Sequence, residues 1–357
     1  MPQNPGYSLP GSDSAMAEAT RLVRAGQLTD ATALIQRTLG GRTSQATSRT
    51  PAPSMPQRLG RALPTLQHTD PGAARLPRTP APTASGGAVR SGVHRGPAGK
   101  RPYRLYVPST AAPTRPLVVM LHGGTQDGAT FARSTGMDAI AEQHGFLVAY
   151  PEQTKAANPM RYWNWFSNQQ RTSGEPAIIA SLIAELVQTE GVDPARIYVA
   201  GFSAGAAMAA VLASTHPDVV AAVGIHSGLA AGAAHDVRSA FTAMRSPGPA
   251  RPLAQPVPAI TFHGDADPTV SIANSARLAD QFGLGTKPQI ERGAVAGGRS
   301  YTVRRHHADH DKVALEQWVV HGMAHAWSGG AAGGSYSDPT GPDASAAMVR
   351  FFQTHQH

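Results

Sequence analysis

Short β-rich runs alternate with amphipathic helical runs from about residue 101 to the end of the 357-residue chain. This alternation restricts the fold more than any other feature, because strands joined through helices build a mostly parallel sheet with helices on both faces. The predicted strands span residues 103–107, 117–121, 146–150, 197–201, 219–225, 259–263, 301–305 and 313–320. The predicted helices span residues 134–144, 176–190, 204–216, 272–282 and 343–354. We therefore expect one α/β domain that covers residues 99–357.

The first 98 residues differ in composition from the α/β region. Residues 1–41 hold two short runs with apolar residues at helical spacing, each preceded by a capping residue and closed by glycine. These runs predict a small helical hairpin. Residues 42–98 hold nine prolines between Pro51 and Pro97 and too little apolar surface to offset the entropy of ordering. We interpret this stretch as a Pro/Arg-rich linker and expect it to be disordered.

The net positive charge of the chain comes from its first 100 residues. The net charge is +8, and residues 1–100 hold 12 Lys and Arg against 4 Asp and Glu, whereas residues 101–357 hold 19 of each kind. A neutral domain lacks the basic surface with which proteins bind nucleic acid. We therefore expect no nucleic-acid partner.

The absence of cysteine removes several kinds of site. Disulfide bonds, thiolate zinc sites, iron–sulfur clusters and a cysteine nucleophile all need sulfur. The sequence also has no run of 18 apolar residues, and residues 1–10 lack the charged and apolar segments of a standard signal peptide. We expect no transmembrane segment, and the lack of a signal peptide favours a cytoplasmic or granule-associated location.

A strand–turn–helix motif surrounds Ser203. Residues 196–200 have the composition of a buried strand, residues 201–205 match the pattern G-x-S-x-G, and a helix of small residues begins at Ala204. Glycines on both sides permit the strained turn that exposes a nucleophilic serine. We predict that Ser203 is a nucleophile rather than a simple helix cap.

A nucleophilic serine needs a base and an acid that orients the base, and in motifs of this kind the acid and then the base follow the serine along the chain. The strand at 259–263 runs into a turn that carries Asp265 and Asp267, and spacing alone does not separate the two carboxylates. The strand that ends at residue 320 runs into His321 and His325. A glycine between these histidines argues against a helix that would align them as metal ligands. We assign His325 as the base and predict no metal site.

Two backbone amides are candidates for stabilising an oxyanion, a contact worth about 100- to 1000-fold in rate. The N–H of Ala204 directly follows the nucleophile. The strand at 117–121 ends in a glycine-rich loop, from which we choose the N–H of Gly124; an ordinary turn is the alternative interpretation of that loop.

Aromatic residues near these motifs are candidates for the substrate pocket. Trp163, Asn164 and Trp165 can form either the wall of an acyl pocket or part of the core, and we assign them to substrate binding together with Trp327. We expect His226 to pack near Ser203 without a chemical role. The histidines and aspartates at 306–311 lie between two predicted strands, so we interpret them as a polar hairpin loop.

Taken together, these motifs resemble those of the polyhydroxybutyrate depolymerase family of esterases. The resemblance rests on residues 121–126, 162–166, 201–205, 263–267 and 322–327 and extends over about residues 101–355. It implies an α/β-hydrolase fold, related to that of feruloyl and acetyl-xylan esterases. In the family pattern H-G-x-x-D the last position is the acid, which implies Asp267, and the histidine before Ala-Trp is the base, which implies His325.

The sequence also departs from the family pattern. Many members carry cysteine at the positions of Gly124 and Tyr162, which implies that a disulfide bond normally joins these positions and is dispensable here. The predicted last helix ends close to residue 357, so we expect no separate polymer-binding module. The resemblance allows an extracellular location, whereas the absent signal peptide favours a cytoplasmic or granule-associated protein.

The resulting expectation is a serine esterase that hydrolyses short-chain polyhydroxyalkanoate polyesters or oligomers without cofactor or metal. Its triad would be Ser203, Asp267 and His325, and its oxyanion donors would be the N–H groups of Gly124 and Ala204. A feruloyl or acetyl-xylan type carbohydrate esterase is the alternative, and a catalytically silent hydrolase-fold binding protein is a third hypothesis. The basic N-terminal segment is a candidate for association with polyester granules.

Overall fold

The structure is a computed structural model that describes residues 74–76, 86–110, 112–167, 170–283, 286–308 and 312–357. The chain divides into two units, Met1–Thr69 and Asp70–His357. All of the first unit, and with it the predicted helical hairpin, lies outside the described residues. The same is true of most of the predicted linker.

The second unit is built on one large sheet, which has eleven strands within the described residues. In chain order these strands are β1 Ala74–Leu76, β2 Ala88–Gly96, β3 Gly99–Val107, β4 Arg115–Leu121, β5 Leu147–Pro151, β6 Val192–Phe202, β7 Ala222–His226, β8 Ala259–Gly264, β9 Gln289–Val295, β10 Ser300–His307 and β11 Val313–Val320. Their order across the sheet is β1-β9-β10-β11-β8-β7-β6-β4-β5-β3-β2. The six strands from β11 to β5 run parallel, and antiparallel strands flank them on both sides.

Helices cover both faces of the sheet. They are α1 Gly128–Thr135, α2 Met137–His144, α3 Gly174–Thr189, α4 Ala204–Thr215, α5 Val237–Arg245, α6 Ala273–Phe282 and α7 Ala344–Phe352. Apolar residues of α3 to α6 join the hydrophobic core on one face, and those of α1, α2 and α7 join the core on the other. A small second sheet pairs β12 Trp327–Ser328 with β13 Ser337–Asp338. None of the helices that the structure describes is long and apolar enough to cross a bilayer.

The predicted linker ends earlier than residue 98, so this boundary was wrong. Residues 88–96 form the edge strand β2, which pairs along its whole length with β3. The boundary was misplaced because an edge strand needs no alternation of apolar and polar residues. Val89 and Val93 are exposed. Hydrogen bonds to β3 and polar contacts to α3 and its C-terminal end hold the strand instead. The buried His94 bonds Glu185 at 2.6 Å, and Arg90 bonds Glu190 at 2.5 Å.

Two further differences concern helices. The predicted helix at 134–144 is in fact two helices, because Gly136 adopts a left-handed conformation with φ of 66° between α1 and α2. The sequence interpretation also missed α5. This helix lies between β7 and β8, and its Ala240 and Ala243 belong to the core beside α6.

The sheet brings the predicted functional residues to one edge. Because β4, β6, β8 and β11 run parallel, the loops that follow them leave the sheet at the same side. These loops carry Gly124, Ser203, Asp267 and His325. Brought together in this way, residues far apart in sequence become neighbours.

Candidate active site

Ser203 occupies a strained turn between β6 and α4. Its backbone angles are φ 54° and ψ −117°, a conformation that side-chain-bearing residues rarely adopt. The Ser203 N–H donates to the carbonyl of His226 at 2.9 Å, which ties the turn to β7. A Cβ at Gly201 would lie 2.4 Å from the backbone of Gly205, and one at Gly205 would lie 2.0 Å from the carbonyl oxygen of Leu121. Both glycines of the motif are therefore required by close packing of the backbone.

Asp267 and His325 form a buried hydrogen-bonded pair. The distance from His325 Nδ1 to Asp267 Oδ2 is 2.7 Å, and the Asp267 side chain is fully buried. Its other oxygen accepts the N–H groups of Thr269 at 2.8 Å and Val270 at 2.9 Å. Burial by itself would raise the pKa of Asp267, but the hydrogen bonds and the neighbouring His325 and His263 outweigh it and lower that pKa. The carboxylate is therefore charged and accepts the N–H of His325 Nδ1, which is the tautomer that leaves Nε2 able to accept a proton.

The imidazole of His325 lies beside the serine turn. Phe202, the residue before Ser203, packs against His325 with 4.7 Å between ring centroids. The start of α4 also lies against the loop after β4, because Gly205 approaches the carbonyls of Leu121 and His122. The structure thus gathers the serine turn, the Asp267–His325 pair and the glycine-rich loop in one place.

Asp265, the competing carboxylate, contacts a different histidine. Its Oδ2 lies 2.7 Å from Nδ1 of His321, and its Oδ1 accepts the N–H of Gly322 at 2.6 Å. The second nitrogen of His321 bonds the hydroxyl of Thr302 at 2.9 Å. More than a third of each side chain of the Asp265–His321 pair is exposed. The two carboxylates therefore serve two separate histidines, and only Asp267 contacts His325.

Two more histidines lie close to this centre and are uncharged. His226 is fully buried, and its pKa is lowered well below the ordinary value by burial and by His263 and His325 nearby. Its Nε2 accepts the N–H of Ser328 at 2.9 Å, and its ring stacks on Trp327 and Phe262. The pKa of His263 is also lowered, chiefly by burial. His226 thus packs near Ser203 as expected.

The loop after β4 contains an unpaired amide at Gly124. The Gly123 N–H donates to Oε1 of Gln126 at 2.9 Å, and the Thr125 N–H donates to the carbonyl of Met160 at 2.8 Å. The Gly124 N–H, in contrast, has no acceptor among the residues that the structure describes. The Ala204 N–H belongs to the first turn of α4, where helical amides have no acceptor within the helix. Both predicted oxyanion donors are therefore available.

His122 fixes this loop, and sequence reasoning did not single it out. Its Nε2 accepts the N–H of Gln153 at 3.0 Å, and its Nδ1 lies 2.7 Å from the carbonyl of Gly123, so Nδ1 carries the proton. Burial lowers the pKa of His122 to about 4. The carbonyl of His122 accepts from Nε1 of Trp163 at 3.1 Å. The neutral His122 ring therefore joins the oxyanion loop to the backbone of Gln153 and holds the loop in place.

The predicted substrate-binding tryptophans are core residues, which corrects their assignment. Trp163 is 0% exposed, Trp165 4% and Trp327 1%. Trp327 donates its Nε1–H to Ser345 Oγ at 3.0 Å. Asn164 is half-buried and bonds Glu175 through both its backbone N–H at 2.7 Å and its side chain at 3.0 Å. None of the three tryptophans offers a ring face to a substrate. For Trp163 and Trp327, an N–H that reaches a fixed acceptor allows the ring to be buried.

The comparisons with known proteins agree with this architecture. The sequence profile of the family described as "Esterase PHB depolymerase" matches residues 101–305. Poly(3-hydroxyalkanoate) depolymerase C of Paucimonas lemoignei is 33% identical over 240 residues, which cover 62% of this chain and 57% of the relative. Acetylxylan esterase A of Aspergillus ficuum is 32% identical over 133 residues, 36% of this chain and 42% of the relative. The chain thus spans about half the length of these curated relatives.

Among solved structures, the acetyl xylan esterase from Aspergillus awamori superposes with a TM-score of 0.60 at 19% identity. The match covers 75% of this chain and 100% of that chain, and at this identity it shows the fold alone. The fold is therefore that of the α/β-hydrolases. Because the family profile matches more than half of its length, the chain belongs to the PHB depolymerase family of esterases.

Proposed function

We propose that this protein is a serine esterase that hydrolyses short-chain polyhydroxyalkanoate polyesters or their oligomers through an acyl-enzyme. The observation that carries the proposal is the buried Asp267–His325 pair, which lies against the strained turn of Ser203. An unpaired Gly124 N–H, in the loop whose first residues contact the start of α4, supplies the other element that acyl transfer needs.

In this mechanism Ser203 Oγ attacks the ester carbonyl while Nε2 of His325 takes its proton. Asp267 holds the imidazole in the tautomer that leaves Nε2 free and stabilises the imidazolium that forms. The amides of Gly124 and Ala204 receive the negative charge of the tetrahedral intermediate. His325 then protonates the leaving alcohol, and a water molecule, activated by the same imidazole, hydrolyses the acyl-enzyme.

The substrate class is supported by the names of two relatives. Poly(3-hydroxyalkanoate) depolymerase C of Paucimonas lemoignei and poly(3-hydroxybutyrate) depolymerase of Ralstonia pickettii are 33% and 29% identical over 240 and 259 residues. Both alignments span far more of this chain than that with acetylxylan esterase A. Deacetylation of xylan is the alternative, because the same triad can serve either ester.

One set of assays tests this proposal. Initial rates are measured on emulsified polyhydroxybutyrate, hydroxybutyrate oligomers, a short nitrophenyl ester, acetylated xylan and methyl ferulate under identical conditions. We expect the hydroxybutyrate substrates to give the highest kcat/KM, and Ser203→Ala to lower every rate by about a million-fold without loss of folding. A preference for acetylated xylan or methyl ferulate would refute the substrate class, and full activity of the Ser203→Ala variant would refute the mechanism.

A further inference from the structure

Two tyrosines stand out among the exposed large apolar side chains that the structure describes. Tyr162 is 39% exposed and Tyr336 is 42% exposed. The others are Val89 and Val93 on the edge strand β2, Val237 in α5 and Ile290 in β9. Only the two tyrosines contact the residues that the proposed mechanism uses.

Tyr162 packs directly on the oxyanion loop. A Cβ built at Gly124 would lie 2.3 to 2.6 Å from three carbon atoms of the Tyr162 ring, so this ring fills the space that a side chain at Gly124 would need. The backbone of Tyr162 is held at both ends: its carbonyl accepts from Nε2 of Gln153 at 2.9 Å, and its N–H donates to Oδ1 of Asn158 at 3.3 Å. The ring is therefore a fixed wall beside the unpaired Gly124 amide.

Tyr336 lies beside His325 and Phe202. Its ring centroid is 6.2 Å from that of His325 and 6.0 Å from that of Phe202. Its carbonyl accepts the N–H of Trp327 at 2.7 Å, which ties Tyr336 to the small sheet. Partial burial raises the pKa of Tyr162, and Tyr336 raises it further.

We propose that Tyr162 and Tyr336 form an aromatic clamp that binds the aliphatic chain of a polyester on both sides of the scissile ester. This inference rests on the proposed function. An aromatic ring with a terminal hydroxyl matches a chain in which methyl and methylene groups alternate with ester oxygens, because the ring face is apolar and the hydroxyl can donate to a carbonyl. An aromatic surface without acidic or basic side chains suits a neutral polymer.

The clamp also explains why residue 124 is a glycine. Any larger residue would collide with the Tyr162 ring and displace either the ring or the oxyanion amide. Tyr162 is thus a positioning residue for Gly124 as well as a surface for the substrate. The two positions should therefore be energetically coupled, and a smaller residue at 162 should relieve a substitution at 124.

The experiment measures kcat/KM for a series of hydroxybutyrate oligomers from one to four units and a short nitrophenyl ester. The variants are Tyr162→Ala, Tyr162→Phe, Tyr336→Ala and Tyr336→Phe, with Ile290→Ala as the matched control because Ile290 is exposed but remote from the catalytic loops. We expect each alanine variant to lower the ratio of tetramer to monomer kcat/KM by about 2- to 10-fold, mainly through KM, and each phenylalanine variant to retain most of it.

The coupling is tested with Gly124→Ala alone and combined with Tyr162→Ala. We expect Gly124→Ala alone to lower kcat on the short ester by at least about tenfold, and Tyr162→Ala to restore part of that loss. The thermal midpoint of every variant is measured so that unfolding is not mistaken for lost binding.

Three results would overturn the clamp. They are an unchanged tetramer-to-monomer ratio in both alanine variants, an equal loss in Ile290→Ala, and additive effects of the substitutions at 124 and 162. Each of them differs from failure of the proposed function, in which the Ser203→Ala variant would remain active or the wild type would prefer carbohydrate esters.

Discussion

Replacement of Asp267 by asparagine tests the assignment of the acid with almost no change in volume. Oδ1 of Asp267 accepts the N–H groups of Thr269 and Val270, and Oδ2 faces Nδ1 of His325 at 2.7 Å. In Asp267→Asn, the two backbone donors require the amide oxygen, so the amide NH₂ must face His325. The opposite orientation would leave two buried N–H groups without acceptors, at about 1–3 kcal/mol each.

The consequence for catalysis follows from this orientation. An NH₂ group that donates to Nδ1 forces the proton of the imidazole onto Nε2, and a protonated Nε2 cannot accept the proton of Ser203. In serine hydrolases the wrong tautomer costs about 10⁴-fold in kcat, or about 5.4 kcal/mol. We expect a loss of this size for Asp267→Asn on a short nitrophenyl ester, with KM changed little.

The matched control is Asp265→Asn. The Asp265 carboxylate also bonds a histidine and a backbone N–H, but more than a third of its side chain is exposed and its partner is His321. Exposed pairs of this kind contribute about 0–1 kcal/mol, so we expect activity within about threefold of wild type. Circular dichroism and thermal midpoints verify that both variants fold. A severe loss for Asp265→Asn together with a mild one for Asp267→Asn would refute the assignment.

Four further outcomes follow from the structure. The free energy of unfolding should fall as pH drops from about 6.5 to about 4, because unfolded His122 binds a proton in this window while folded His122, with a pKa of about 4, does not. One such residue contributes up to about 1.4 kcal/mol per pH unit. In His122→Gln, the unfolding free energy measured with urea should therefore depend less steeply on pH. Trp163→Phe leaves the carbonyl of His122 without its donor and should cost about 1–3 kcal/mol in urea unfolding, with a drop in kcat that exceeds any rise in KM. Deletion of Met1–Thr69, the first of the two units, should leave the rate on a soluble ester within about twofold, whereas loss of binding to polyester granules would support a docking role for that segment. Interfacial activation should be absent, because residues 228–258, where many hydrolases insert a cap, carry one nine-residue helix that packs into the core; a jump in rate at the solubility limit of the ester would contradict this.

The parts of the site that follow buried strands could be predicted from the sequence. Ser203, Asp267 and His325 each lie in a short motif after an apolar run, and the parallel sheet brings the ends of those runs together. The choice between Asp265 and Asp267 could not be made from spacing, because both aspartates lie in the same turn. That choice depends on which histidine each one faces, which is a property of the folded loops.

The sequence could not reveal the substrate-facing aromatic residues. Trp163 and Tyr162 are neighbours in one aromatic motif, yet Trp163 is fully buried and Tyr162 is 39% exposed. The difference arises because the Trp163 N–H finds a buried acceptor in the carbonyl of His122, while Gly124 leaves room for the Tyr162 ring at the surface. The edge strand β2 was missed for a related reason, since its order depends on partners in β3 and α3 rather than on its own apolar pattern.

Backbone strain in this protein is concentrated where the proposed chemistry occurs. Among the described residues, the side-chain-bearing ones with positive φ are Thr125, Arg161, Ser203, Ser227 and Tyr336. Ser203 lies in the serine turn, Thr125 in the oxyanion loop, Arg161 next to Tyr162, and Tyr336 in the proposed tyrosine clamp, whereas Ser227 directly follows β7, next to the His226 carbonyl that accepts from Ser203. Each makes a backbone hydrogen bond of 2.7 to 2.9 Å, and all of these bonds except that of Arg161 to Asn158 join separate segments. At about 1–3 kcal/mol each, this strain is comparable with the whole stability of a typical domain. The strain persists because the large sheet and its two cores stabilise the rest of the fold. The loops can therefore hold hydrogen-bond donors and aromatic rings in positions that unstrained backbones would not adopt.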